Sequence, residues 1–163
     1  MKNLFIHWGH REFDINLFQN IKNREMFVKP SGGLWASPFD TDYSWKQWCD
    51  DNNFNHTIGI DKYVDTNKFY FKLKENSNIL VVDKTSKLSE LPTCDYGFNM
   101  VDMVIIDFEK LSKVYDAMIV LMSNDKNLYW DLYGWDVDSI LVFNKNCVEM
   151  IDESELDNCE NIF

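Results

Sequence analysis

An α+β fold is predicted, one domain over residues 1–163 with a split, mostly antiparallel β-sheet and short flanking helices. Three observations lead there. Segments that read as strands outnumber those that read as helices, and the two do not alternate with the regular period of a parallel α/β fold. The residues are 45% apolar and 15% aromatic, enough for a real core. No repeat, linker or low-complexity stretch divides the chain.

The elements follow in order. "NLFIHWG" reads as a short strand that ends in polar residues. "INLFQNIKNREMF" carries a loose helical spacing through Ile15, Leu17, Phe18, Ile21 and Phe27, so a helix is expected there. Pro30 and Gly32-Gly33 punctuate "KPSGGLWAS", a turn running into a strand. Asp40, Thr41 and Asp42 offer N-cap oxygens to the helix "YSWKQWCDDN". "KFYFKLK" and "NSNILVVD" are two strands across a polar turn, expected to pair as a hairpin or a bent pair. "KTSKLSELP" is one helical turn stopped by Pro92. "TCDYGFNMVDM" carries no clear pattern. Asp107 caps "FEKLSKVY", which places Phe108, Leu111 and Tyr115 on one face. "DAMIVLM" is a buried strand, "VDSILVFN" the clearest strand of all, and "CVEMI" follows it after a turn. The acidic tail "DESELDNCENIF" is expected to be peripheral.

The formal net charge of −11 argues against a broad phosphate-tracking surface and reads first as a solubility feature. The basic residues Lys22, Arg24 and Lys29 read as a solvated loop. Cys49, Cys94, Cys147 and Cys159 form no CxxC pair, and His7, His10 and His56 are scattered, so no metal site is expected. The opening "MKNLFIHWGHREFD" lacks the long apolar core of a secretory leader, and no run is long enough to span a membrane. A cytoplasmic chain with reduced thiols is the expectation.

Three segments stand out chemically. In "IHWG", His7 at a strand end beside Gly9 can donate to a ligand hydroxyl while the bare backbone meets an amide; a satisfied structural histidine is the plainer reading. In "PSGGLWASPFDTDYSWKQWCDD", the double glycine permits close backbone approach, and Trp35 presents a broad ring. Ser44 and Trp48, four residues apart, share a helix face, although the three tryptophans would serve equally to fill a core. In "GWDVDSILVFN", strand alternation puts Asp136 and Asp138 on one face. Asp136 suits a turn before the strand. Asp138, nearer the apolar run, is the better working acid.

The order of "HWG", "GLWAS…YSWKQWC" and "DVDSILVFN" resembles the ADP-ribosyltransferase superfamily, in its diphtheria-toxin and poly(ADP-ribose) polymerase branch. That resemblance implies an NAD-dependent mono-ADP-ribosyltransferase with NAD as substrate and no metal. It implies that His7 holds ribose hydroxyls, Gly9 the carboxamide, Trp35 and Trp48 the two faces of the nicotinamide, and Ser44 the amide. Asp138 stands for the catalytic glutamate, while a strict overlay of "SILVFN" puts Ser139 at that position. A stand-alone toxin, defence or viral effector is the implied setting, with a protein acceptor favoured over a nucleic acid. Two alternatives stay open: a catalytically inactive binding or inhibitor protein on the same fold, and an acidic interaction protein that docks a basic partner.

Overall fold

The computed structural model describes residues 3–25, 27–54, 67–94 and 105–156. The unpatterned segment from Asp95 to Met103, His56, and the tail from Asp157 with Cys159 lie outside the described residues.

Among those residues the fold is α+β. A seven-stranded, mostly antiparallel sheet is built from β1 (Phe5–Trp8), β4 (Leu34–Pro38), β5 (Lys68–Leu73), β6 (Ile79–Val82), β7 (Ala117–Val120), β8 (Ser139–Val142) and β9 (Val148–Ile151). The strand order is β6-β7-β8-β4-β1-β5-β9. A separate hairpin joins β2 (Lys22–Arg24) to β3 (Phe27–Ser31). The helices are short: α1 (Trp45–Asp51), α2 (Phe108–Leu111) and α3 (Leu128–Asp131), with 3-10 turns at Thr85–Glu90, Lys145–Cys147 and Glu153–Glu155.

β7 and β8 are buried at every position, as apolar runs in the middle of a covered sheet should be. One cluster gathers Val82, Phe108, Leu111, Met118, Leu132 and Trp135; a second gathers Phe5, Phe71, Leu73, Ile119, Ile140 and Val142. Met118 and Ile119 are successive residues of β7, so alternation sends them to different clusters. Asp107 caps α2 as expected, its carboxylate accepting from Lys110 N at 3.0 Å.

Three expectations are corrected. Among the described residues no helix forms between Ile15 and Phe27. Asp14 Oδ1 accepts from both Asn16 N (2.8 Å) and Asn16 Nδ2 (3.0 Å), a local turn that competes with helix formation. Ile15 and Leu17 stay exposed while Ile21 is buried, so the spacing marks no common face. β5 and β6 do not pair with each other: β5 lies between β1 and β9, and β6 runs parallel to β7 (Ile79↔Ala117 to Val82↔Val120). The cap of α1 is Ser44, whose hydroxyl accepts from Gln47 N at 3.3 Å, in place of Asp40, Thr41 or Asp42.

The double glycine answers to its own chain. Gly32 (φ +82°) and Gly33 (φ +69°) both lie in the left-handed region. A Cβ on Gly32 would stand 2.2 Å from the Asn20 carbonyl oxygen, and one on Gly33 2.6 Å from Leu141 Cδ1 and 2.7 Å from the Val142 carbonyl. The close approach is therefore to residue 20 and to β8, and it lets β4 settle against β8.

Candidate functional site

The three segments singled out in the sequence occupy adjacent strands: β8, β4 and β1 are consecutive in the sheet. β4 is the hinge of this arrangement, pairing with β1 (Ile6↔Ser37) on one side and β8 (Trp35↔Leu141) on the other. A cleft of about 180 Å³ opens where they meet, lined by His7, Lys29, Trp35, Trp45, Asp136 and Ser139 among others.

Hydrogen bonds fix the histidine. His7 Nδ1 lies 2.7 Å from the Trp35 carbonyl, which can only accept, so Nδ1 carries the proton. In neutral His7, Nε2 is then an acceptor, and it receives the Nδ1 proton of His10 at 2.9 Å. The His7 ring also stacks on Phe69 (centroids 4.7 Å apart), while the His10 ring lies nearly parallel to it across their hydrogen bond, with centroids 5.2 Å apart. A strand-end histidine is thus locked in orientation and tautomer against the neighbouring strand.

The aromatic walls come from β4 and α1. Trp35 is held by its indole N–H, which donates to the Gly32 carbonyl at 3.2 Å, and by contact with the fully buried Trp135. Trp45 N donates to the buried Ser37 hydroxyl at 3.1 Å, which ties the first turn of α1 to β4. Trp45 and Trp48 stack face to face (5.0 Å, 8°), with Phe54 edge-on to both. Trp45 is the ring at the cleft and Trp48 backs it.

Lys29 enters the same space from β3. Its ammonium lies 4.3 Å from the Trp35 ring centroid and 5.7 Å from that of Trp45, a cation held between two indole faces. Burial lowers its pKa from the ordinary lysine value, and the Asp136 carboxylate opposes that shift.

Of the residues expected in the site, His7 and Trp35 share the cleft. Gly9 (φ +114°) lies at the end of β1 with its N–H donated to the Asn67 carbonyl at 2.8 Å. Ser44 caps α1. Asp138 faces elsewhere: it is 3% exposed, and its carboxylate accepts from Thr41 Oγ1 (2.7 Å), Ser123 N (2.8 Å) and Ser123 Oγ (2.8 Å). It ties the segments around residues 41, 123 and 138 together beside a small pocket with Pro38 and Leu121. Ser139 does face the cleft, with its hydroxyl donated to the Val137 carbonyl at 2.9 Å. The carboxylate at the cleft is that of Asp136.

Sequence reasoning therefore missed Lys29, Trp45 and Asp136. Strand alternation was extended back to residues 136–138, but β8 begins at Ser139 and residues 137–138 form a bend, so the period-two rule does not reach them. In β3, Val28 and Pro30 are buried on either side of Lys29; that alternation was the available signal that Lys29 faces differently from its neighbours.

A second lobe of about 180 Å³ adjoins the first, lined by His7, His10, Phe13, Phe18, Trp35 and Phe69 together with Glu12 and Asp14. His7 and Trp35 belong to both lobes and form their common wall. No group of three or more metal-ligating side chains comes together among the described residues. None of their helices is long and apolar enough to cross a membrane.

Comparison with protein-family models, with curated proteins and with solved structures finds no match to this chain.

Proposed function

We propose that the chain is an NAD-dependent mono-ADP-ribosyltransferase, with the cleft between β1, β4 and β8 as its active site. The observation that carries this reading is the meeting of His7, Trp35, Trp45 and Asp136, drawn from the three segments of the resemblance, around one cleft. The nicotinamide ring of NAD is a planar cation, and two indole faces beside a carboxylate suit such a ring. In this reading the Lys29 ammonium marks the cation position and swings toward the dinucleotide's phosphates when NAD binds. The second lobe takes the adenosine half, with the His7 ring, held by Trp35 and His10, as the wall between the two lobes.

The chemistry asks for a fixed charge and a positioned leaving group. The bond between ribose C1′ and the nicotinamide nitrogen breaks with its electron pair passing to that nitrogen, which neutralises the pyridinium. Positive charge develops on the ribose, as in glycoside cleavage. Asp136 faces that charge, and the preorganised rings hold the leaving group in line. An acceptor nucleophile then bonds to C1′ and releases its proton.

Nicotinamide release from NAD, followed by chromatography, tests the reading. Wild-type protein should release it, and Asp136→Asn should be slower by on the order of a hundredfold. Release that is unchanged in both Asp136→Asn and Trp35→Ala overturns it. A second reading, a protein that binds NAD without cleaving it, is favoured by the complete engagement of Asp138 with Thr41 and Ser123. NAD binding seen by tryptophan fluorescence with no nicotinamide released would select it.

A further inference from the structure

Beyond the cleft lies a wider groove of about 610 Å³, lined by Tyr43, Met122, Lys126, Tyr129, Trp130 and Asp136. Its aromatic residues are open for their size: Trp130 is 74% exposed and Tyr43 47%, and Tyr133, three positions after Trp130 and in ring contact with the lining residue Tyr129, is 62% exposed. Their rings are ordered against one another edge to face, Tyr129 with Trp130 at 5.5 Å and Tyr129 with Tyr133 at 6.2 Å. Large apolar rings left in water in one place mark an interaction surface.

Charge selects the partner. Among the described residues the lining holds one cation, Lys126, and one carboxylate, Asp136, while Asp42 directly precedes Tyr43 and Asp131 directly follows Trp130 in the sequence. The whole chain carries −11. A phosphate backbone would meet repulsion here, and an apolar peptide would leave the carboxylates unused. An arginine side chain satisfies both features, because its planar guanidinium stacks on aromatic faces and pairs bidentately with carboxylates. Asp136 belongs to the groove and to the cleft alike, so a chain seated in the groove is led toward the cleft.

We infer that this groove docks an arginine-bearing segment of a partner polypeptide. As the docking site of an ADP-ribose acceptor it rests on the transferase reading; as a peptide-binding surface it is testable without NAD.

The test uses the full chain and fluorescence polarisation with three labelled probes: an arginine-glycine repeat peptide, a glutamate-glycine repeat peptide and a single-stranded DNA 10-mer. The arginine peptide should bind, more weakly as salt is raised, while the other two do not. Trp130→Ala should weaken that binding about tenfold, Trp130→Phe should restore most of it, and Glu149→Gln on the distant strand β9 should leave it unchanged. The proposal falls if the arginine peptide does not bind, if the oligonucleotide binds as tightly, or if Glu149→Gln weakens binding as much as Trp130→Ala. Nicotinamide release without peptide is measured in parallel. Peptide binding without release sinks only the transferase reading, and release without peptide binding sinks only the docking site.

Discussion

The Lys29 ammonium stands 4.3 Å from the centroid of the Trp35 ring, on the indole face that the proposed function assigns to nicotinamide. The protein thus supplies its own cation to the slot. Removing it separates two contributions. Lys29→Met should bind free nicotinamide more tightly, because the ring no longer competes with the ammonium, and should bind NAD more weakly, because a contact to phosphate is lost. Tryptophan-fluorescence titrations with the two ligands check the opposite signs; the same sign for both refutes the account.

The same lysine sets a pH signature. Its folded-state pKa is lowered, chiefly by burial, so the unfolded chain holds the proton more readily. The cost of the charged form is fully present below the folded value and is relieved as pH rises toward the unfolded value of 10.5. Wild-type stability relative to Lys29→Met should therefore increase with pH as the range just below 10.5 is entered, measured by urea denaturation at matched ionic strength.

Asp136 and Asp138 should separate cleanly in experiment. Asp138→Ala leaves Thr41 and Ser123 without their common acceptor in a buried place, and a loss of about 3 kcal/mol is expected. Asp136→Asn breaks no such hydrogen-bond network and removes only the carboxylate that offsets the burial of Lys29, so it should cost clearly less than Asp138→Ala while losing nicotinamide release. Denaturation curves read beside activity distinguish a tie from an acid.

Gly33→Ala should be costly although the change is one methyl group. The residue's φ is +69°, and the new carbon would stand 2.6 Å from Leu141 Cδ1 and 2.7 Å from the Val142 carbonyl. A loss of at least about 2 kcal/mol is expected from strain and overlap. That lowers the melting temperature by roughly 4–8 °C, which calorimetry would record.

Cys49 and Cys147 should be inert in the native protein. Burial pushes both thiols up to about 11, with Asp50 adding to the shift at Cys49 and Asp116 at Cys147. At pH 8 only about one molecule in a thousand carries the thiolate. Iodoacetamide at that pH, followed by peptide mass spectrometry, should leave both unmodified until denaturant is added.

Local chemistry was legible in the sequence where one segment decides its own fate. The strands around Ile6, Trp35 and Ile140, and the Asp107 cap, follow from alternation and capping rules that act over a few residues. Pairing over long separations was not. Nothing within "KFYFKLK" or "NSNILVVD" says that β5 prefers β1 and β9, or that β6 prefers β7, because those choices depend on which apolar faces the rest of the chain leaves open. The site divides the same way. His7 and Trp35 were found from their strands, but Lys29, read as part of a solvated basic loop, lies on strand β3 and points into the cleft. Asp136 was set aside as a turn residue in favour of Asp138, but a bend at residues 137–138, invisible to a period-two rule, turns Asp138 away from the cleft.

The central place of β8 has a consequence for the growing chain. Until residues 139–142 leave the ribosome, β4 and β7 each keep a bare edge of amides and carbonyls facing the slot that β8 will fill. Sheet closure waits on a segment more than a hundred positions downstream of Trp35. During synthesis the nascent polypeptide is a half-built sheet open at its middle, the state in which a chaperone, or a stray strand from another molecule, finds it easiest to bind.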